Sequence, residues 1–532
     1  MNNKAWLLTF AAVTLAAGIG VCSVTAYIDP YMHFHKPLTD KYYYDLGNQR
    51  SQNDGITKNF DYDALITGTS MTENFRTTEV DRIFGCNSIK VSYSGGSFKE
   101  INDNLTIALR EHPDIKYIIR GLDQLKFIED KNWMRNDLGK YPTYLYDSNP
   151  FNDVDYLMNR DVLYTRVWNM VEYARHGNPG GITSFDDYSN WMSAYTFGQQ
   201  AVLKDVFSDE GEDRFQDTEQ TATLTDAEKE RIKENIEQNV TNLADRYPNT
   251  TFYYFLTPYS AAFWGEQKQD GTLEKQIEIE KYAISLIVSH HNIHLFGWNR
   301  FDLLDDLNNY KDAPHYGEWI NSWMLSQMHK ESGRLTSENY EAFITELHDH
   351  YIDFDYNSLF DQTDNEADYY ISGLLNKEIS GTEPFPIDEK FLANTEIKNA
   401  NIIHDQYEGT DGLECHGAMV RDSIPDSAES AMLNGDYCGI KFQVDVSDYR
   451  ALTFYGKKVA DHGRPTVCVY DEDGKLLREV AVNYPDIDTE WHQYAVNLDG
   501  IYGNATIIMN GGYTDNSGSD DSDYIFSKIV IY

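Results

Sequence analysis

The sequence is short of positive charge. It sets 44 Lys and Arg against 86 Asp and Glu, a formal charge of −42 with histidine neutral, and no basic run interrupts that balance. A field of this sign repels polyanions, so neither nucleic acid nor an anionic membrane surface is expected as a partner. Cysteine is scarce as well: the five residues Cys22, Cys86, Cys415, Cys438 and Cys468 contain no CxxC pair, which leaves no zinc-ribbon spacing. A Cys415–Cys438 disulfide and buried free thiols are both compatible with the pattern. His290, His291 and His294 stand close together without the carboxylates a metal site would add, and read as a polar helix end. There is no internal repeat and no cofactor signature, so no metal and no cofactor is expected. Long apolar runs are missing too, with one exception at the N-terminus.

That exception covers residues 5–27, which carry no charge. At about 1.5 Å per residue such a run can cross a hydrocarbon core of about 30 Å. Lys4 precedes it and Asp29 follows it, an asymmetry that directs the bulk of the chain outward. Val24-Thr25-Ala26 is compatible with signal-peptidase cleavage, which would secrete the chain. The length of the run favours an uncleaved single-pass membrane anchor, and residues 1–28 are assigned to it.

The remainder has a globular composition, 41% apolar and 14% aromatic, and is too long for one ordinary core. Apolar runs at 64–66, 88–93, 115–119, 251–256 and 293–296 alternate with helical periodicity at 75–84, 98–111, 225–246 and 273–289. Strand and helix in alternation predict an α/β domain with a doubly wound parallel sheet over residues 29–380. Residues 124–222 break the alternation with aromatics and a Gly-Asn-Pro-Gly-Gly loop, and read as an insertion whose rings pack the core or stack on sugar. Residues 381–393 read as a linker. From 394 to 532 short alternating strands, separated by turns such as Asp471-Glu472-Asp473-Gly474, predict an all-β sandwich.

The chain is organised around Gly68-Thr69-Ser70, where the first strand empties into a turn before a helical segment. A serine there either caps the helix or is held out at the carboxyl end of the sheet as a nucleophile. Beyond the fifth strand, Asp312 and His315 stand three apart in a turn, a spacing that lets a carboxylate orient an imidazole as general base.

With these residues in order, residues 61–328 resemble the SGNH/GDSL hydrolase superfamily, whose sheet is flavodoxin-like. Among its members the chain looks similar to membrane-anchored proteins of envelope polymer acylation, the DltD-like proteins of teichoic-acid alanylation and the AlgJ/AlgX-like proteins of polysaccharide O-acetylation. The resemblance implies Ser70 as nucleophile, His315 as base and Asp312 as its orienting carboxylate. It implies that Gly95 or Gly96, in Ser94-Gly95-Gly96-Ser97, lends an N–H to the oxyanion. The third block departs from the family: Gly121-Leu122-Asp123-Gln124 puts Asp123 where an asparagine side chain usually donates. The sandwich resembles carbohydrate-binding modules. Together these imply an extracytoplasmic serine acyltransferase or esterase acting on acetyl or D-alanyl esters of an envelope polysaccharide or teichoic acid. A multi-pass membrane O-acyltransferase is the partner such proteins are paired with. The alternative is a catalytically silent glycan-binding scaffold.

Overall fold

In a computed structural model of the chain, residues 3–362 are described except 193–194, 196 and 208–213; beyond 394 the description covers the strands named below and adjoining turns. The expected linker at 381–393, and Cys415 and Cys438, lie outside the described residues. The chain divides into two compact units, Met1–Met192 with Ala201–Gln362, and Ser193–Gln200 with Thr363–Tyr532.

The first unit carries strands β1 (Tyr43–Tyr44), β2 (Ala64–Thr67), β3 (Ser88–Lys90), β4 (Tyr117–Leu122), β5 (Gly181–Ile182), β6 (Thr251–Leu256), β7 (Ile293–Phe296) and β8 (Arg334–Leu335). Six of them form one sheet in the order β3-β2-β4-β6-β7-β8. The first five are mutually parallel, and β8 runs antiparallel on the β7 edge. Ranked by chain position, the parallel strands follow the flavodoxin-like order 2-1-3-4-5, whose direction of winding reverses between β2 and β4. Ala64, Leu65 and Ile66 are all buried, as a strand covered on both faces requires. The expected doubly wound sheet is therefore present, with an edge strand that no periodicity announced: Arg334-Leu335 is too short to have one.

Local signals behave as their chemistry dictates. Ser97 and Glu100 form a reciprocal capping box at the start of helix Phe98–Glu111, and Thr225 and Glu228 do the same for Asp226–Ile236. The helix expected to continue to 246 is interrupted by a π-turn at Glu237–Thr241. The extra residue turns the Asn239 carbonyl toward the fully buried Arg120, whose Nη1 donates to it at 2.7 Å. The insertion is built of short pieces, among them helices Val154–Leu157 and Trp168–Arg175 flanking a π-segment at Val162–Val167. Within it β5 pairs with β1 as a small parallel ribbon.

The second unit is antiparallel throughout, with strands β9 (Thr395–Glu396), β10 (Asn401–Ile403), β11 (His416–Val420), β12 (Ser430–Asn434), β13 (Gly439–Asp445), β14 (Ala451–Lys458), β15 (Thr466–Tyr470), β16 (Leu476–Ala481), β17 (His492–Asn497), β18 (Asn504–Asn510) and β19 (Tyr524–Ile531). One sheet is ordered β10-β13-β18-β15-β16, and the other β11-β12-β19-β14-β17 with β9 on β19. Alternate residues of both sheets, including Val467, Val469, Ile507 and Met509 from one and Leu452, Phe454, Tyr494 and Val496 from the other, share a single buried core. That is a β-sandwich.

Candidate active site

The turn after β2 is shaped by two close approaches. Gly68 has φ +151°, and a side chain there would collide with the Thr72 side chain and crowd the backbone N of Gly121 on neighbouring β4. Only glycine allows the strand to end so tightly against its neighbour. Ser70 then opens a single turn of 3-10 helix, Ser70–Thr72. Its N–H has no hydrogen-bond partner among the described residues.

His315 arrives from the loop beyond β7. The loop closes on itself through a Tyr310–Tyr316 bridge, a Lys311 N–H to His315 carbonyl bond of 3.0 Å and a Gly317 N–H to Asn309 carbonyl bond of 2.9 Å. Two fully buried tyrosines pin it in place: Tyr310 donates to the Pro258 carbonyl at 2.9 Å, and Tyr316 to the Met71 carbonyl at 3.0 Å. The second bond ties the loop to the turn that carries Ser70. Asn321 adds a donor to the same carbonyl at 3.2 Å.

The result is a continuous chain of groups. Ser70 Oγ lies 2.8 Å from His315 Nε2. His315 Nδ1 lies 2.8 Å from Asp312 Oδ1, which also accepts the His315 backbone N–H at 2.7 Å. Residues 245 positions apart in sequence are thus in hydrogen-bond contact, in the crevice where a sheet of this order takes its ligands.

Two residues that sequence reasoning missed complete the arrangement. Lys311 Nζ donates to Asp312 Oδ2 at 2.6 Å. Burial alone would raise the Asp312 carboxyl, but the imidazole and the ammonium bound to it hold it below its ordinary value. Trp191, from the insertion, stands edge-on to the His315 ring at 5.7 Å, donates its Nε1–H to the Ser70 carbonyl at 3.3 Å and lies 5.1 Å from the Lys311 ammonium. Lys311 was visible as the neighbour of Asp312. Nothing in the sequence distinguished Trp191 from the other rings of the insertion.

The glycine block lies beside the turn that carries Ser70, joined to it by Gln49, which accepts from the Ser94 N–H and donates to the Glu73 carboxylate. Gly95 has φ +57°, and the Arg135 guanidinium occupies the space a side chain would take. The two glycines differ in what they can offer. The Gly96 N–H is already used, donating to the Tyr93 carbonyl at 2.7 Å, whereas the Gly95 N–H has no partner among the described residues.

Asp123, at the end of β4, accepts from the Tyr259 hydroxyl on one oxygen and from Thr69 Oγ1, at 3.3 Å, on the other. In this arrangement it is an acceptor and offers no donor to an oxyanion. Gln124, which could have substituted, is tied to Thr257 by both ends of its amide. His290 and His294 pair with separate carboxylates, Asp245 and Glu331.

No family model matches the chain, and no curated protein matches it. Solved structures similar to it include a family 4 carbohydrate-binding module, 14% identical over 25% of this chain and 86% of that one, TM-score 0.19. A family 36 module in complex with calcium and xylotriose is 9% identical over 26% of this chain and 96% of that one, TM-score 0.18. A family 11 module from Clostridium thermocellum, bound to a mixed-linked tetrasaccharide, is 10% identical over 29% of this chain and 94% of that one, TM-score 0.17.

Proposed function

We propose that the chain is a serine acyltransferase or esterase of the SGNH type, anchored in the membrane and acting outside it on acyl esters of an envelope polysaccharide or teichoic acid. The observation that carries this reading is the unbroken Ser70–His315–Asp312 chain, 2.8 Å at each side-chain link, at the switch point of the sheet. Ser70 Oγ attacks the acyl carbonyl while His315 Nε2 takes its proton, and the free N–H groups of Ser70 and Gly95 receive the oxyanion. Collapse returns the proton from His315 to the departing alcohol and leaves an acyl-serine. Water then completes hydrolysis, or a glycan hydroxyl completes transfer, with His315 again acting as base. The polymer substrate, and a multi-pass membrane O-acyltransferase as the source of acyl groups, rest on the family resemblance.

A fluorophosphonate probe should label the full chain at Ser70 and leave Ser70→Ala unlabelled. Equal labelling of both proteins would end the proposal. Lys311→Met should move the acid limb of the labelling-rate profile to higher pH, because the ammonium is one of the groups that hold the Asp312 carboxyl below its ordinary value; Lys311→Arg should restore it. An unchanged profile in the methionine variant would remove Lys311 from the electrostatics of the site.

Asp123 favours a second reading, a glycan-binding scaffold without turnover. A carboxylate in place of the family's amide removes a donor, and such a loss costs about 2.7–4 kcal/mol of transition-state stabilisation. Polymer acylation that persists in cells carrying Ser70→Ala, together with unchanged glycan binding, would decide for the scaffold.

A further inference from the structure

The N-terminal helix Asn3–Ile28 is bare of packing along most of its length, but its last turn is built into the first unit. Thr25 Oγ1 donates to the Leu157 carbonyl at 3.0 Å, the Ala26 carbonyl is bonded to His35 Nε2 at 3.1 Å, and Tyr44 donates to the Ile28 carbonyl at 2.6 Å. Directly after the helix, Asp29 accepts from the Tyr156 hydroxyl at 2.8 Å. Ile28 and Tyr31 share a small core with Leu145, Tyr156, Val162 and Val167 of the insertion. The helix therefore leaves the folded unit at a fixed place, against the segment that runs from 151 to 168.

That segment has two faces. Tyr156, Val162 and Val167 point inward and hold the helix end. On the other face large apolar side chains stand bare: Phe151 at 88% exposure, Tyr164 at 71%, Trp168 at 56%, Met158 at 51% and Val154 at 46%. The bare surface continues onto the helix itself through Val24 and Tyr27, each about half exposed. Water-facing segments seldom gather so many large apolar groups. Aromatic rings at the mouth of a membrane span have a natural medium, because their apolar bodies and polar edges suit the head-group layer. Asp153, Asp155, Arg160 and Asp161 lie in the same stretch, which keeps the segment at head-group depth and out of the hydrocarbon.

We propose that the segment from Phe151 to Trp168 is an interfacial platform that rests on the lipid bilayer where the N-terminal helix emerges, fixing the first unit against the membrane surface. The proposal rests on the helix being a retained anchor and is independent of any catalytic reading. A span alone would leave the unit free to swivel; a second, aromatic contact beside it sets one orientation. The insertion that supplies this platform also supplies Trp191 to the catalytic histidine, so the same part of the chain would connect membrane contact and active site.

The test uses the full chain in nanodiscs of zwitterionic phosphatidylcholine, a fraction of it carrying a photoactivated diazirine on the glycerol-proximal part of the acyl chain. Adducts should map to residues 3–28 and also to peptides covering 151–168, the latter at least about five-fold above the charged helix Asp226–Ile236. The double variant Tyr164→Glu/Trp168→Glu should lose the 151–168 adducts while keeping those of the helix and its thermal transition. Adducts confined to residues 3–28 would overturn the proposal and leave the apolar face to a protein partner. No adducts on residues 3–28 would overturn the anchor reading and the platform with it, whatever the outcome of serine labelling.

Discussion

Asp312→Asn is expected to lower the rate of Ser70 acylation by about 10⁴-fold, the cost seen when a triad carboxylate becomes an amide in the serine proteases. The geometry gives a specific reason here. Asp312 Oδ1 accepts from the His315 backbone N–H at 2.7 Å and lies 2.8 Å from the ring Nδ1, while Oδ2 lies 2.9 Å from the same ring nitrogen and accepts from the Lys311 ammonium at 2.6 Å. An asparagine has one oxygen for these donors, and the ammonium is the stronger claimant. The amide NH₂ is then left facing Nδ1, which stabilises the tautomer with its proton on Nε2. In that form His315 cannot accept a proton from Ser70. The fold should be untouched, because the amide fills the same volume. The comparison to make is the second-order rate of fluorophosphonate labelling in the two proteins, with matched thermal transitions. A variant that keeps more than about a tenth of the wild-type rate would show that Asp312 does not set the tautomer.

The second large effect concerns stability. Glu280 lies on helix Leu273–Ile287, is almost fully buried, and has a Gln276 amide donating to it at 3.2 Å. Burial pushes its carboxyl up to about 8. The native state therefore keeps it protonated at pH values where the unfolded chain has released the proton. Its contribution to stability is fully present below the unfolded value of about 4.5 and is lost as pH rises through about 8. Glu280→Gln is neutral in both states and escapes that loss. We expect the variant to match the wild type near pH 4.5 and to exceed it at pH 8 by on the order of 3 kcal/mol, read as a pH-dependent gap in thermal midpoint. Lys90, fully buried with its ammonium lowered to about 7 by burial, tilts stability the other way, with a contribution lost as pH falls from the unfolded value through about 7. It does so equally in both proteins and leaves the difference unaffected. Parallel pH curves for wild type and variant would contradict the prediction.

The burial of Glu280 connects fold to site. It lines a small pocket with Gln124, Thr257 and Tyr259; Tyr259 donates to Asp123, and Gln124 follows Asp123 in the chain. The polar groups beneath the third block are thus committed to one another. With both ends of its amide on Thr257, Gln124 would offer no oxyanion donor under the proposed function.

Residue patterns alone determined the principal strands and helices of this protein. Buried parallel strands must be apolar on both faces, so 64–66, 251–256 and 293–296 were legible as runs; helices that pack on them must be amphipathic, and their caps are local chemistry. The sandwich followed from strand alternation for the same reason. Ser70, Asp312 and His315 could be singled out because each ends or follows a strand, and a sheet's carboxyl edge is where its loops converge. What no local pattern could determine was contact. The Ser70–His315 approach depends on Tyr316 reaching Met71, a bond between distant segments. Trp191 comes from a stretch without periodicity, Lys311 acts only through the carboxylate it touches, and the fates of Gly95 and Gly96 diverge over a single carbonyl. The exposed rings from Phe151 to Trp168 likewise look like ordinary core residues in the sequence, and only the packed helix end beside them shows which face is left bare. Secondary structure is decided within a few residues, but hydrogen bonds and surfaces are decided by which segments the fold brings together, and that is tertiary information.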